Sequence, residues 1–457
     1  MHIQRRQEKY NELRGFYCFR IGNAVYLNKQ SNWNLEKAVI SMDTTTEQST
    51  SSWKKNIVLF LSSQTISLFG SSLVQYAIMW YITLTTESGV MMTLYIICGF
   101  IPTFILSPMA GVWADRYNRK MLIILSDALI AIATLILAIV FLMGYDAIWL
   151  LFVMAAIRAI GTGIQFPAVS AILPQIVPKD QLTRVNGING SIQAIIMFVS
   201  PLVSAALLSM ASIEAIFFID VITAAIAIVT LFVFFNIPIH KKANEKQTFS
   251  YFSDLKLGLK YINESDFLKR FFLFFAFFFV LMAPAAFLTP LQVTRTFGDD
   301  VWRLTAIEIA FSIGMMAGGG IIASWGGFQN KIHTMTFASL LMGVCTFALG
   351  VVPVFWVYLI FMAVFGVAIP IFNTPTTVLV QEKVDENYLG RIFGVFGMIS
   401  TSMMPLGMLI FGPIADVIRI EWLLIGTGLL ILILAIFLGR NKVLIETGKP
   451  VAEEPAN

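Results

Sequence analysis

A chain of 457 residues that is 57% hydrophobic and only 13% charged, with Phe at 39 positions, carries more apolar surface than a soluble fold of this length can hide. That balance excludes a soluble enzyme, a disordered regulator, a secreted disulfide scaffold and a nucleic-acid binder, and indicates a membrane protein with little mass outside the bilayer. The net charge of +4 is small, so the placement of the charges matters more than their sum. Cys18, Cys98 and Cys345 are odd in number and far apart, and His2, His240 and His333 are scattered, so neither a disulfide framework nor a metal site follows.

Residues 1–55 read as a polar tail. The first 41 contain no apolar run of signal-peptide length. Met42 opens MDTTTEQSTSSWKK, which runs directly into the first apolar segment. Met42 is therefore the expected natural start, with 1–41 an upstream translation artefact; a basic surface-binding extension is the alternative.

A spanning helix needs ~20 mostly apolar residues. Twelve segments qualify: 56–84, 90–114, 121–143, 148–172, 189–211 and 213–235, then 269–293, 304–326, 332–351, 354–378, 392–415 and 420–439. Gly144 after the third and Gly439 at the end of the twelfth read as helix stops. The polar stretch 236–268 divides six spans from six. Phe252 to Ile262 within it has apolar residues at helical spacing, with Lys256 and Lys260 on another face; an amphipathic surface helix or a plain linker fits. The expected fold is all-α and integral to the membrane, with a six-helix bundle over 56–235, a central loop over 236–268, a second bundle over 269–439 and a tail over 440–457. The second half partly repeats the first: Gln175, Pro178, Leu182 and Arg184 after the fourth span parallel Gln381, Val384, Leu389 and Arg391 after the tenth. Two such halves around a central site are a known transporter plan. Counted along twelve spans, 27 of the 31 Lys and Arg fall on the side of the termini, which predicts cytoplasmic termini.

The most specific local pattern is Gly111-Val-Trp-Ala-Asp115-Arg116-Tyr-Asn118-Arg119-Lys120, between the second and third spans. Gly111 suits close helix approach, Asp115 a neighbouring helix N-terminus, and Asn118 a left-handed turn. Arg116, Arg119 and Lys120 suit carboxylates or lipid phosphates. Inside the spans lie Asp127, Arg158, Asp220 and Glu308. Each charge costs ~2.5–3.5 kcal/mol at a helix centre, which makes each a functional candidate. Burial disfavours a charged carboxyl and a nearby Arg favours it, opposed effects that suit a proton switch. The alternatives are packing against the second span for Asp127, an interhelical hydrogen bond for Asp220 and a helix-start carboxylate for Glu308.

Gln64, Ser67, Ser71 and Gln75 share one face of the first span, and Arg158, Thr162 and Gln165 one face of the fourth; each face is expected to line a cavity or to glue helices. Phe365, Ile369, Phe372, Asn373 and Thr376 form a mixed face on the tenth. The seventh span opens FFLFFAFFFV, expected to face lipid, and Pro284 and Pro290 are expected to kink it. No GxxxxGK[ST] loop or enzyme constellation appears, so neither an ATP-driven machine nor an enzyme is expected.

The pattern at 111–120 resembles the loop signature of the major facilitator superfamily, G-x-x-x-D-R-x-G-R-K, with Asn118 at its second Gly. Arg158-Ala-Ile-Gly161-Thr, Pro167-Ala, Pro178-x-x-Gln-Leu-Thr, Phe218-Ile-Asp220, Ile307-Glu308-Ile and Gln381-Glu-Lys with Leu389-Gly-Arg391 resemble its macrolide-efflux-like drug–proton antiporters. The second-half loop near Gly326 lacks the Asp, and Ser200-Pro201 stands where Gly-Pro is typical. The resemblance implies spans one, four, seven and ten around a cavity, a loop motif that latches the bundles when the cavity faces outward, and proton-driven export of a bulky amphiphilic drug such as a macrolide. It implies no cofactor, a small-molecule substrate, protons and the bacterial cytoplasmic membrane as partners, and a monomer. Export of a native metabolite such as a siderophore or lipid is the rival reading, and a non-transporting receptor or scaffold the weaker one.

Overall fold

The computed structural model describes residues 29–178, 181–235 and 251–449, with side chains described from Trp53 onward at most positions but not at Asp115. The expectation for residues 1–28 lies outside the described residues. Twelve helices within them are long and apolar enough to cross a membrane. The first six are α1 (Lys29–Thr86), α2 (Gly89–Arg116), α3 (Arg119–Leu142), α4 (Ile148–Ile176), α5 (Leu182–Met210) and α6 (Ile213–Val229), the last continued by a π-helical turn to Phe234. The second half holds a short helix, α7 (Tyr251–Glu264), where the amphipathic segment is expected, then α8 (Asp266–Phe287) and α9 (Thr289–Phe297), which together make the seventh span. It continues with α10 (Val301–Trp325), α11 (Lys331–Val351), α12 (Phe355–Lys383), α13 (Glu386–Ala415), α14 (Ile420–Arg440) and α15 (Lys442–Thr447).

Local sequence sets most of these boundaries. Ser88 and Ser265 cap α2 and α8 by accepting from Met91 N–H and Leu268 N–H, each at 3.4 Å. Gly144 takes a positive φ of 82° after α3, a conformation open to glycine at no steric cost. Two expectations need correction. Gly439 does not stop α14, which runs to Arg440; it lies against α11, where a Cβ would come 2.7 Å from Thr336 Cγ2. The seventh span does not merely kink: it divides at Leu288, and Pro290 starts α9 at the second residue, where a missing N–H costs nothing.

Packing repeats across the halves. In the first, α1 packs on α5 and α6, α2 on α4, and α3 on α4 and α6. In the second, α8 packs on α13 and α14, α10 on α12, and α11 on α12 and α14. These are the same pairings displaced by six spans, which makes two pseudo-symmetric six-helix bundles. The bundles meet through α2 against α13 and α5 against α10, an exchanged pair under the same symmetry.

The second bundle is the more densely packed. Along α10 and α12 the backbones touch: a Cβ on Gly314 would lie 2.0 Å from Ala363 O, and one on Gly366 2.2 Å from Phe311 O. In a bilayer, where helix association rests on close packing, such small residues set the crossing. The Phe-rich start of α8 does not face lipid as expected. Phe271, Phe272, Phe274, Phe275 and Phe278 are buried, and Phe278 stacks on Phe372 of α12 with ring centroids 4.7 Å apart. Only Leu273 and Phe277 of that stretch are more than half exposed. Aromatic rings gain from one another beyond their area, so a Phe-dense face finds a better partner in other Phe rings than in lipid chains.

Replacing Gly314 by Ala should lower the apparent melting temperature of the purified protein, through an overpacking cost of about 1–3 kcal/mol. Gly320→Ala, on the same helix but with open space around the new methyl, should leave it unchanged or raise it slightly; equal effects from the two would contradict the α10–α12 contact.

Candidate functional site

A cavity of about 470 Å³ opens inside the first bundle, lined by α1, α2, α4 and α5, with Phe287 of α8 contributed by the second. Every polar residue that the sequence places on the α1 and α4 faces lines it: Gln64, Ser67, Ser71, Gln75, Arg158, Thr162 and Gln165. Aromatic Tyr95, Phe100 and Phe166 complete a mixed wall. The α12 face behaves differently. Phe365, Phe372 and Thr376 do not line the cavity but are buried in the second bundle, where Phe372 belongs to the Phe stack and Thr376 donates to Phe372 O at 2.8 Å. Asn373 is exposed and lies off the cavity. The sequence could not separate the two faces, because helical spacing reports that residues share a side and not what that side meets.

Arg158 stands ten residues into α4, ~15 Å along the helix axis, half the depth of a hydrocarbon core. Its guanidinium meets Asp220 of α6, Nη1 to Oδ2, at 2.6 Å. The same Nη1 donates to Thr134 Oγ1 of α3 at 3.2 Å, and Nη2 donates to Ser71 O of α1 at 2.9 Å. Asp220 is also given hydrogen bonds by Ser71 at 3.3 Å and Thr134 at 3.2 Å. A guanidinium is tolerated at this depth because carboxylate, hydroxyls and a backbone carbonyl replace the water it has lost. The pair joins four helices, α1, α3, α4 and α6. Helix α1 can approach because Gly70 has no side chain: a Cβ there would lie 3.2 Å from the Asp220 backbone. Thr134 was not singled out from the sequence, since a lone Thr in an apolar run carries no signal of its own.

Asp127 is held differently. It is 3% exposed and reaches toward α1 and α4 rather than α2, accepting from Ser67 Oγ at 2.9 Å and Gln165 Nε2 at 2.8 Å, both on Oδ1. Its Oδ2 has no hydrogen-bond partner, and no cation pairs with it among the described residues. Its two donors both line the cavity, which puts the carboxyl directly behind the wall. Glu308 is not brought into this group. It is half-buried on α10 of the other bundle, seven residues into the helix rather than at its start, with no hydrogen bond among the described residues.

The 111–120 motif staples the first bundle internally. Arg119 donates from Nε to Ala114 O at 2.9 Å and from Nη1 to Ala171 O at 2.8 Å, tying α3 to the ends of α2 and α4. Lys120 caps the last carbonyls of the sixth span, Phe235 O at 2.6 Å and Phe232 O at 3.2 Å. Asn118 is not left-handed, as expected, but extended at φ −67°, ψ 111°. It is the N-cap of α3, its Oδ1 accepting from Lys120 N–H at 3.0 Å, which suits Asn better than Gly. Gly111 makes no close helix approach, because open space surrounds it in this conformation. Arg116 is exposed. Asp115 lies near the C-terminal end of α2.

At the far end of α2 the bundles are clamped together. Asp416, just after α13, accepts from Gly89 N–H at 2.7 Å, Val90 N–H at 3.0 Å and Ser88 Oγ at 2.7 Å, and from Arg295 of α9 at 2.8 Å. Arg295 also donates to Glu87 O, at 3.1 Å from Nε, and to Ala415 O at 2.6 Å. Burial raises the Asp416 carboxyl, but the bonds from Val90, Ser88, Gly89 and Arg295 outweigh it and hold the group below the usual carboxylate range. The contact therefore persists through neutral pH and is lost only as the pH falls through that lowered value. The sequence reading passed over both residues. The signal was present, since Gly412-Pro-Ile-Ala-Asp416 repeats the spacing of Gly111-Val-Trp-Ala-Asp115.

The model of the Major Facilitator Superfamily matches residues 57–408. Macrolide efflux protein A of Streptococcus pyogenes is 31% identical over 388 residues, covering 84% of this chain and 95% of its own. The Staphyloferrin A transporter of Staphylococcus aureus is 23% identical over 378 residues, covering 79% and 90%. Among solved structures, that of nucleoside transporter NupG (D323A mutant) superposes with a TM-score of 0.65 at 16% identity, covering 84% of this chain and 98% of the other, a likeness of fold.

Removing one partner of the buried ion pair should cost far more than removing both. Arg158→Met or Asp220→Leu alone is expected to destabilise the protein by about 3–5 kcal/mol, and the double variant to recover most of that loss. Thermal unfolding of the purified variants checks this; single variants as stable as the parent would contradict the pairing.

Proposed function

The chain belongs to the Major Facilitator Superfamily, and on that premise we propose that it is a proton-coupled exporter of bulky amphiphilic molecules, with macrolides as the first class to test. One observation carries the coupling. Directly behind the cavity wall lie two buried carboxyls in contrasting settings, Asp220 engaged by Arg158 and Asp127 held only by neutral donors with one oxygen unpartnered. An isolated charge is costly to bury unless it is paired. Of these two, Asp127 is the one that can exchange a proton without breaking an ion pair, and we assign it the coupling proton. Arg158 and Asp220 keep the wall in shape.

The substrate class rests on similarity and on the lining. The relative that matches 84% of this chain is named for macrolide efflux, and a wall of amides, hydroxyls and aromatic rings suits a large, oxygen-rich apolar molecule. Transport proceeds by rocking of the two bundles about the cavity. With the termini in the cytoplasm, as the lysine and arginine distribution supports, the clamp at Asp416 closes the outer end and the conformation seen here faces inward. A second reading, export of a native siderophore-like metabolite, is favoured by the likeness to the Staphyloferrin A transporter.

Inside-out vesicles with an imposed pH gradient separate these possibilities. Labelled macrolide should accumulate against its gradient, and accumulation should collapse when the pH gradient is dissipated. Asp127→Asn should reduce uphill accumulation at least tenfold while leaving downhill exchange. Accumulation indifferent to the pH gradient would end the coupling proposal. Transport of a siderophore with no macrolide movement would favour the second reading.

A further inference from the structure

Helix α1 serves both bundles where it packs on α9, the second part of the seventh span. Gln75 and Met79 line the cavity, while the residue after each, Tyr76 and Trp80, packs into the hydrophobic core of the second bundle. Tyr76 and Trp80 lie one turn apart on the same face of α1, with ring centroids 5.6 Å apart. Trp80 is fully buried, and its indole N–H has no hydrogen-bond partner. From the other bundle, Glu308 of α10 acts electrostatically on the Tyr76 phenol. Glu308 is half-buried and has neither a hydrogen bond nor an ion pair among the described residues.

A carboxyl at this depth is costly to keep unless something answers its charge. The groups beside it are aromatic, and the face of an aromatic ring attracts cations as a carboxylate does. A metal ion would need several oxygen, nitrogen or sulfur ligands, and no group of three His, Cys, Asp or Glu that could hold one occurs among the described residues. A single carboxylate beside two neighbouring rings suits an organic ammonium instead, which is bulky and weakly hydrated. The cavity wall does not bar such a group, because its Arg158 is already paired with Asp220. We propose that Glu308, together with the Tyr76 ring, recognises a cationic amine carried by the substrate, at the edge of the cavity where the two bundles meet. This rests on the export reading and narrows its substrate class to amphiphiles with a basic nitrogen. The apolar bulk lies against the cavity wall and the ammonium lies at the interface. Tyr76 belongs to one bundle and Glu308 to the other, so rocking of the bundles alters the grip on the ammonium and with it the affinity for substrate.

The test is isothermal titration of the purified full chain at pH 7 with three probes. Erythromycin carries a protonated dimethylamino group, its N-oxide has the same shape without the net charge, and tetraphenylphosphonium is a bulky lipophilic cation that is not a macrolide. The parent should bind erythromycin more tightly than the N-oxide. Glu308→Gln should weaken erythromycin and tetraphenylphosphonium at least about tenfold and leave the N-oxide within about twofold. Glu308→Asp, which keeps the charge, should lose less than Glu308→Gln. Tyr76→Leu should weaken the two cations more than Tyr76→Phe does, because only the latter keeps a ring. Equal affinity of the parent for erythromycin and its N-oxide, equal losses for both probes in Glu308→Gln, unchanged cation binding in that variant, or no binding of either cation by the parent would overturn the proposal. Binding of tetraphenylphosphonium that depends on Glu308, in a protein that binds no macrolide, would leave the cation site standing and refute the macrolide reading alone. Macrolide transport that ignores both the amine and Glu308 would do the reverse.

Discussion

The cost of placing a guanidinium at mid-depth in a membrane organises the first bundle. Arg158 cannot reach either surface from the middle of α4, so the fold must bring polar groups to it. Asp220 arrives from α6, Thr134 from α3 and a carbonyl of α1 from Ser71, with Ser71 Oγ completing Asp220. These contacts hold four of the six helices at one depth. With α4 and α1 tied together behind the wall, their remaining polar residues are left facing inward to a cavity. The site is thus a consequence of how one buried charge is satisfied.

The second bundle solves a different problem. It holds no comparable buried ion pair among the described residues and is joined by backbone contact and aromatic stacking, at Gly314, Gly366 and the Phe278–Phe372 pair. The two halves share one set of helix pairings while differing in what fills them. That difference explains why the cavity lies within the first bundle instead of midway between the two, and why a polar face on α1 opens to it while an equivalent face on α12 does not.

Much of this was legible beforehand. Twelve spans follow from apolar length, the division at 236–268 from polarity, and the α1 and α4 faces from spacing, because all three are properties of one helix at a time. What needed the fold were properties of two helices together. Nothing in the α8 sequence says whether its Phe rings meet lipid or Phe372. Spacing alone could not choose between a left-handed turn and an N-cap for Asn118, since both favour the same residue. Glu308 was a candidate alongside Asp220 in the sequence, and only the packing shows that one meets Arg158 while the other, in the opposite bundle, has no ion pair among the described residues. Asp416 was missed because a single carboxylate at the end of a span looks like ordinary surface until the helix it caps is in place.

The proposal that Asp127 carries the coupling proton implies that substrate binding displaces that proton. The most direct measurement is proton release from the purified protein in weak buffer when a macrolide binds, followed with a pH-sensitive dye. Binding should release a proton from the parent protein and none from Asp127→Asn, with binding itself retained. Release of the same size from the variant, or none from the parent while it binds, would contradict the assignment.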